Sequence, residues 1–415
     1  MSGTDFDVTV VGAGAVGIAA ALAFHRDGRR TALVGRPEAR DDGRTVALLD
    51  GSVRLLAALD AWDAVGPEAA PLAIMRLIDD TGSLFRPPPV DFHAEEIGLP
   101  CFGWNIPAAA LARSLAAEAD RQGLPMIEGS ATGLVSGSDA TAIALTNGRS
   151  ITSRLVVAAD GRESTLREAA GIAARRWSYP QTALTGAFTH DRDHRDVSTE
   201  FHTKEGPFTL VPLPGRRSSL VWMMRDHRAE AVAALDDADF ARAVEHQAQS
   251  MLGRMRLDGP RGRIPMNGLA VDAYAAPRLA LVGEAAHVFP PIGAQGLNLG
   301  FRDVAALRDA VFDHGRGDGD PGGEAVLDGY GRGRARDVRL RAGAVDALNR
   351  SLLADLLPVD FARGFGLLAL GTFGPLRRAV MREGILPRRA APRLMRQPET
   401  EPARITGSRD HGVLS

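Results

Sequence analysis

A six-residue apolar run followed at once by three spaced glycines constrains this chain more than anything else in it. Phe6–Val11 reads FDVTVV, β-branched and mostly apolar, as expected of a strand buried on both faces. Gly12, Gly14 and Gly17 come next, and then Ile18-Ala19-Ala20-Ala21-Leu22-Ala23-Phe24, a strong helix former. Thr31 to Val34 reads as a second strand. Glycines at this spacing between strand and helix have a physical use. The first permits a tight turn, the second lets backbone approach a pyrophosphate, and the third lets helix and strand pack closely. The helix N-terminus then faces the phosphate charge.

One part of that pattern is missing. An acidic residue usually ends the second strand and binds ribose hydroxyls. Gly35 and Arg36 stand there instead, with Asp41 and Asp42 a little later, so no residue is assigned to that contact. Composition narrows the rest. The chain has 415 residues, enough for two or three domains. Its net charge of -2 gives no basic field for nucleic acid. A single cysteine, Cys101, excludes an intrachain disulfide and a thiolate metal cluster, and no metal site is expected. A single lysine, Lys204, leaves almost no room for lysine-based catalysis. The N-terminus carries no signal-peptide pattern and no apolar run is long enough to span a bilayer, so a cytoplasmic location is expected.

Two further motifs lie downstream. Leu155-Val156-Val157-Ala158-Ala159-Asp160-Gly161 is a strand entering an Asp-Gly turn. Leu279-Ala280-Leu281-Val282-Gly283-Glu284-Ala285-Ala286-His287 is another strand, running into Pro290-Pro291-Ile292-Gly293-Ala294-Gln295-Gly296-Leu297-Asn298. In order and spacing the three motifs resemble those of the single-component FAD aromatic hydroxylases, the group with the para-hydroxybenzoate hydroxylase fold. The resemblance covers nearly the whole chain. It implies an α/β fold: a Rossmann-like FAD-binding domain, an inserted antiparallel-sheet substrate domain, and C-terminal helices. The FAD domain is expected at 1–70, 101–170 and 270–330, and the substrate domain at 71–100 and 171–269. A helical segment over 331–397 and a disordered tail over 398–415 complete the chain.

The resemblance also implies the site. Gly12, Gly14 and Gly17 would hold the FAD pyrophosphate, with Arg44 and, more weakly, Arg113 reaching the phosphates. Arg44 reads equally as a surface arginine in an arginine-rich chain. Asp160 and Gly161 would lie near the FAD and nicotinamide sites. Glu284, following Gly283, would accept a hydrogen bond from a ribityl hydroxyl where the family usually has Asp. Pro291, Gly293, Gly296, Leu297 and Asn298 would start a long helix whose free backbone N–H groups face the flavin pyrimidine edge. His287 reads either as a group lining the flavin pocket or as a turn histidine fixed by hydrogen bonds. NAD(P)H is expected as a transient co-substrate and O2 as the oxidant, with few titratable groups over the ring and no general base assigned.

Within that group, Gly43-Arg44-Thr45-Val46-Ala47-Leu48-Leu49 and the Gly283–Asn298 run resemble the ubiquinone-biosynthesis hydroxylases of the UbiH and UbiL type. The implied substrate is a polyprenylated phenol. A small soluble aromatic is the first alternative, and a noncatalytic flavoprotein partner of a biosynthetic complex the second. Trp104-Asn105-Ile106-Pro107 is similar to the tail of a flavin-halogenase signature, but Phe102 replaces that family's other tryptophan. Residues 361–396 carry eight arginines and one acid, Glu383, among apolar side chains. This reads as a basic amphipathic helical stretch. It either packs on the FAD domain or docks the protein peripherally on anionic lipid and on other ubiquinone-biosynthesis proteins.

Overall fold

The computed structural model describes residues 4–39, 42–83, 87–290, 294–314, 319–353, 357–385 and 391–397. Of the expected site residues, Pro291 and Gly293 lie outside them, as does the tail after 397.

The buried strand Phe6–Val11 is the middle of the first sheet. It pairs in parallel with Thr31–Val34 on one side and with Ser150–Ala158 on the other. Beyond these lie Met126–Ile127 and Leu279–Leu281, both parallel to their neighbours. Connections therefore leave Phe6–Val11 in one direction and return at Ser150–Ala158 in the other. A crevice opens at such a switch point, outside the carboxyl ends of the strands. Both the Gly12–Gly17 turn and the Asp160–Gly161 turn follow those ends. The strands are apolar on both faces because helices cover both. Helix Ala15–Arg26 buries every residue from Gly17 to Phe24, and helix Gln295–His314 buries Leu299, Phe301, Val304 and Leu307.

Two glycines set how closely these helices approach. A Cβ on Gly17 would stand 1.8 Å from the Gly12 carbonyl oxygen, so helix and turn touch backbone to backbone. A Cβ on Gly300 would meet Val16 Cγ2 at 2.7 Å and Gly283 Cα at 3.3 Å. Gly300→Ala is therefore expected to destabilise the protein by about 1–3 kcal/mol through overpacking. Adding Val16→Ala should recover part of that loss in thermal unfolding, because it removes the nearest atom.

The second sheet has nine strands. From one edge it runs His287–Val288, Gly262–Val271, Ala174–His190, Arg217–Arg225, Gly206–Leu213, Val197–Thr203, Ile74–Asp79 and Val90–His93, with Met255–Leu257 also on Ala174–His190. All pairs are antiparallel except Val197–Thr203 with Ile74–Asp79. One face packs under helices Asp226–Ala233 and Asp237–Gln247 through Phe188, Phe201, Phe208, Leu220, Trp222 and Phe240. The Phe208 and Trp222 rings meet edge to face at 5.2 Å, a favoured aromatic arrangement.

A small sheet bridges the two large ones. Thr45–Leu49 pairs with Gly103–Pro107, and Ala70–Pro71 adds a third strand. The described residues of the C-terminal helices Leu357–Thr372 and Gly374–Ile385 pack on the second sheet. Leu367 and Met381 bury against Val90, Phe92 and Ile97, and Arg377 holds Glu96 at 2.8 Å. They clamp the far edge of the second sheet.

Candidate active site

The turn after Phe6–Val11 has the form that an anionic ligand requires. Gly12 has φ +112°, a conformation open to glycine, and a Cβ there would lie 2.2 Å from the Ala159 carbonyl oxygen. Gly14 differs from its neighbours: a Cβ there meets nothing within 4 Å. Gly12 and Gly17 thus serve the packing of the turn, while Gly14 borders open space at the helix start. No acidic residue occupies the first turn of that helix and no side chain caps it. Its free N–H groups and dipole are left to a ligand.

Asp160 stands across the switch point. Its Oδ2 accepts the Leu166 N–H at 3.2 Å, and its Oδ1 is buried without a hydrogen-bond partner. An unpaired buried carboxylate oxygen costs free energy, and a hydroxyl of a bound nucleotide would satisfy it. Gly161, at φ +85°, also borders open space. Glu284 is exposed and faces Arg162 at 3.4 Å. This pair links the segments that follow two neighbouring parallel strands, so the Glu284 carboxylate is at the crevice mouth. The glycine-lined gap at Gly14, the open space at Gly161 and Gly296, and the orphan Asp160 oxygen fit an extended dinucleotide.

Other expected residues do different work. The Asn298 side chain is saturated by protein: its Oδ1 accepts the Leu49 N–H at 2.9 Å and the Ser52 hydroxyl at 2.6 Å. Its Nδ2 donates to the Ala47 and Ala294 carbonyls at 2.8 and 2.6 Å. Asn298 therefore fixes the helix start against Thr45–Leu49, and only its backbone could face a flavin. Leu297 packs at the margin of the main core. Arg44 is exposed and ion-pairs with Asp42 at 2.8 Å, and that hydrogen bond holds the Asp42 carboxyl below its usual range. Arg113 is exposed and pairs with Glu68 at 3.1 Å. Either guanidinium reaches a phosphate only by leaving a surface pair, which costs under about 1 kcal/mol. Gly35 is at φ +123°, where any side chain is strained, and a Cβ there would stand a tight 3.2 Å from Ala13 Cβ, so the position disfavours an acid. Lys204 is exposed in the hairpin turn after Thr203.

A buried cluster stands behind the crevice. Asp303 is wholly buried; its Oδ2 accepts the Gly283 N–H at 2.8 Å and His287 Nε2–H at 2.7 Å. Arg334, from helix Glu324–Leu353, donates to Oδ1 at 2.7 Å and also pairs with Asp337. Burial alone would raise the Asp303 pKa, but the charges of His287 and Arg334 outweigh it and the carboxyl is held below its usual value. His287 is thus the turn histidine fixed by hydrogen bonds, and its ring stacks on Phe289 at 5.6 Å. Buried Arg167 adds a second tie, donating to the Ala285 and Arg162 carbonyls at 3.0 Å each. Sequence reading assigned no role to Asp303, Arg334 or Arg167. The available signal was charge on buried helix faces, which calls for a partner.

The strand Thr45–Leu49 joins this crevice to the second sheet. Its far end is tied to Asn298, as above, and at its near end Thr45 donates to Ser219 Oγ at 2.9 Å. Asn105 donates to the same oxygen at 3.0 Å and to the Pro212 carbonyl at 2.8 Å. Leu220, Trp222 and Met224 belong to the helix-covered face. Ser219, Val221 and Met223 therefore point the other way, toward the crevice. That face of the second sheet, tied at Ser219 to the strand beside the crevice, forms the roof over the site.

A family model described as an FAD binding domain matches residues 5–341. The ubiquinone hydroxylase UbiL of Rhodospirillum rubrum is 35% identical over 387 residues, covering 91% of this chain and 89% of that one. The 3-demethoxyubiquinol 3-hydroxylase of Escherichia coli is 30% identical, over 92% of this chain and 99% of its own. Among solved structures, Klebsiella pneumoniae HpxO complexed with FAD and uric acid is similar at a TM-score of 0.74, with 20% identity over 93% of this chain and 97% of that one. That last likeness is one of fold.

Proposed function

The chain belongs to the FAD binding domain family as an FAD-dependent monooxygenase, and from that premise we propose that it hydroxylates the aromatic ring of a polyprenylated phenol in ubiquinone biosynthesis. The observation that carries the substrate reading is full-length likeness, at 35% and 30% identity, to two proteins named as ubiquinone-pathway hydroxylases. The roof supports it, since the partly exposed Val221 and Ile264, backed by buried Met223 and Met266, offer an apolar surface to a ring and chain.

When bound, FAD would supply the redox chemistry that couples oxidation of NAD(P)H to entry of one atom of O2 into the ring and release of the other as water. The chain's own residues bind, orient and keep water out. Gly14 lets the pyrophosphate reach the free N–H groups of helix Ala15–Arg26. Asp160 supplies an acceptor for a nucleotide hydroxyl. The positive end of helix Gln295–His314, fixed by Asn298, favours negative charge on a ring placed against it. The roof excludes water.

No helix among the described residues is long and apolar enough to cross a membrane. Access to a polyprenyl substrate is proposed through helix Gly374–Ile385 and the residue before it. Phe373, Leu376 and Val380 are 61%, 43% and 48% exposed and share one side of that helix. In a ubiquinone-deficient bacterial strain lacking the corresponding hydroxylase, expression should restore quinone and deplete an unhydroxylated prenyl precursor in lipid extracts. Restored FAD-loaded protein with unchanged precursor would refute the reading.

A further inference from the structure

Strand alternation places one acid–imidazole pair on the roof. Phe201, Phe208 and Leu210 face the covering helices. Their neighbours Glu200, His202 and Thr209 therefore face the crevice side. Glu200 and Thr209 are direct cross-strand partners, and Thr209 is opposite Val221 in the next strand. Thr185, Val221, Thr209, Glu200 and Leu77 form one row across five strands, all partly exposed. Glu200 is the only ionisable member of that row.

Its carboxylate is held on both oxygens. Oε1 accepts His202 Nε2–H at 2.9 Å, and Oε2 accepts the Thr209 hydroxyl at 3.2 Å. The Glu200 side chain is 18% exposed and that of His202 3%. His202 Nδ1 is buried with no hydrogen-bond partner. Across from His202, Asp79 Oδ1 accepts the Thr81 N–H and hydroxyl. At about 3.4 Å per residue and about 4.8 Å between strands, Glu200 is on the order of 12 Å from Ser219, where the roof is tied to the cofactor side. A ring held beneath Val221 and Thr209 would lie between the two.

We infer that Glu200 is the residue that receives the hydrogen of the substrate's phenol hydroxyl, with His202 as its positioning residue. The inference rests on the phenolic substrate reading above. As the new C–O bond forms at a ring carbon, the phenol proton moves to the Glu200 carboxylate and the O–H electron pair stays on oxygen, raising the ring's nucleophilicity. The proton on the attacked carbon then leaves to the oxygen atom that is released as water, which restores aromaticity, and Glu200 returns its proton to the phenol oxygen. The overall balance stays one substrate, one NAD(P)H, one proton and one O2 giving product, NAD(P)+ and water. His202 holds Oε1, so the free lone pairs of Glu200 point into the row.

The test uses the FAD-loaded full chain and a phenol carrying one isoprenoid unit, alongside its methyl ether. Wild-type turnover of the phenol is established first; its absence would refute the substrate reading rather than this one. Bound to the oxidised enzyme, the phenol should be roughly tenfold or more tighter than the ether, as a charged acceptor implies. In Glu200→Gln that preference should shrink to under about threefold. Product formation should fall by about a hundredfold, with FAD content unchanged and NAD(P)H diverted to hydrogen peroxide. His202→Gln should lose less, about tenfold. Wild-type rate and phenol preference in Glu200→Gln would overturn the assignment. Should that variant lose FAD, Glu200→Asp decides: a slower rate with the phenol preference kept supports the assignment, and an unchanged rate overturns it.

Discussion

Gly14→Val is expected to fold and purify without yellow colour. The space where its side chain would grow holds no protein atom within 4 Å, and the backbone there is at φ -75°, which any residue adopts. The loss of fold stability should therefore stay within about 1 kcal/mol, the cost of a poor helix cap. The FAD pyrophosphate has to occupy that same space, so flavin content should drop to background. Gly17→Ala provides the contrast. Its added carbon would lie 1.8 Å from backbone oxygen, and backbone cannot rotate away. That variant should lose both flavin and several degrees of melting temperature. Absorbance spectra and thermal unfolding of the pair separate ligand space from packing space. Stoichiometric FAD in Gly14→Val would remove the turn from the site.

Asp303→Asn should be the most damaging single change away from the crevice. It removes the negative charge facing buried Arg334 and His287. Breaking one side of a buried charge pair costs about 3–5 kcal/mol. The acceptor for the Gly283 N–H is also weakened, so FAD affinity should fall with stability. The pH dependence has a definite sign. The folded Asp303 pKa is below its unfolded value, so its stabilisation is fully present above about pH 4 to 5. It is lost as pH falls through that value toward the folded one. Urea unfolding of the wild type should weaken across that acidic window, while Asp303→Asn should show a smaller slope there. Equal slopes would mean that Asp303 is not the charged centre of the cluster.

What the sequence revealed divides by range. The Gly12–Gly17 turn, the Asp160 turn and the Gly283 turn are local patterns, each readable from strand, turn and helix within a short segment. The parallel order at the switch point follows from them. Asn298 was assigned through the backbone at the helix start, and the hydrogen bonds of its side chain were not foreseen. Its partners Ala47, Leu49 and Ser52 are about 250 positions away and invisible to local pattern. The same holds for Arg334, whose partner Asp303 lies on another helix. Gly35 looked like a missing acid; its backbone at φ +123° explains the glycine. Glu200 and His202 read as ordinary strand residues. Only the register opposite Thr209, and the helices covering Phe201, place them on the other face of the sheet.

The proposed reaction puts one atom of O2 into a prenylated phenol. The most direct measurement is turnover of that phenol under 18O2, with NAD(P)H consumption followed in parallel. The expected result is a product heavier by one oxygen, carrying the label from the gas and not from water, with NAD(P)H oxidation accelerated by the phenol. FAD-loaded protein that oxidises NAD(P)H at the same rate with and without the phenol, and yields no labelled product, would contradict it.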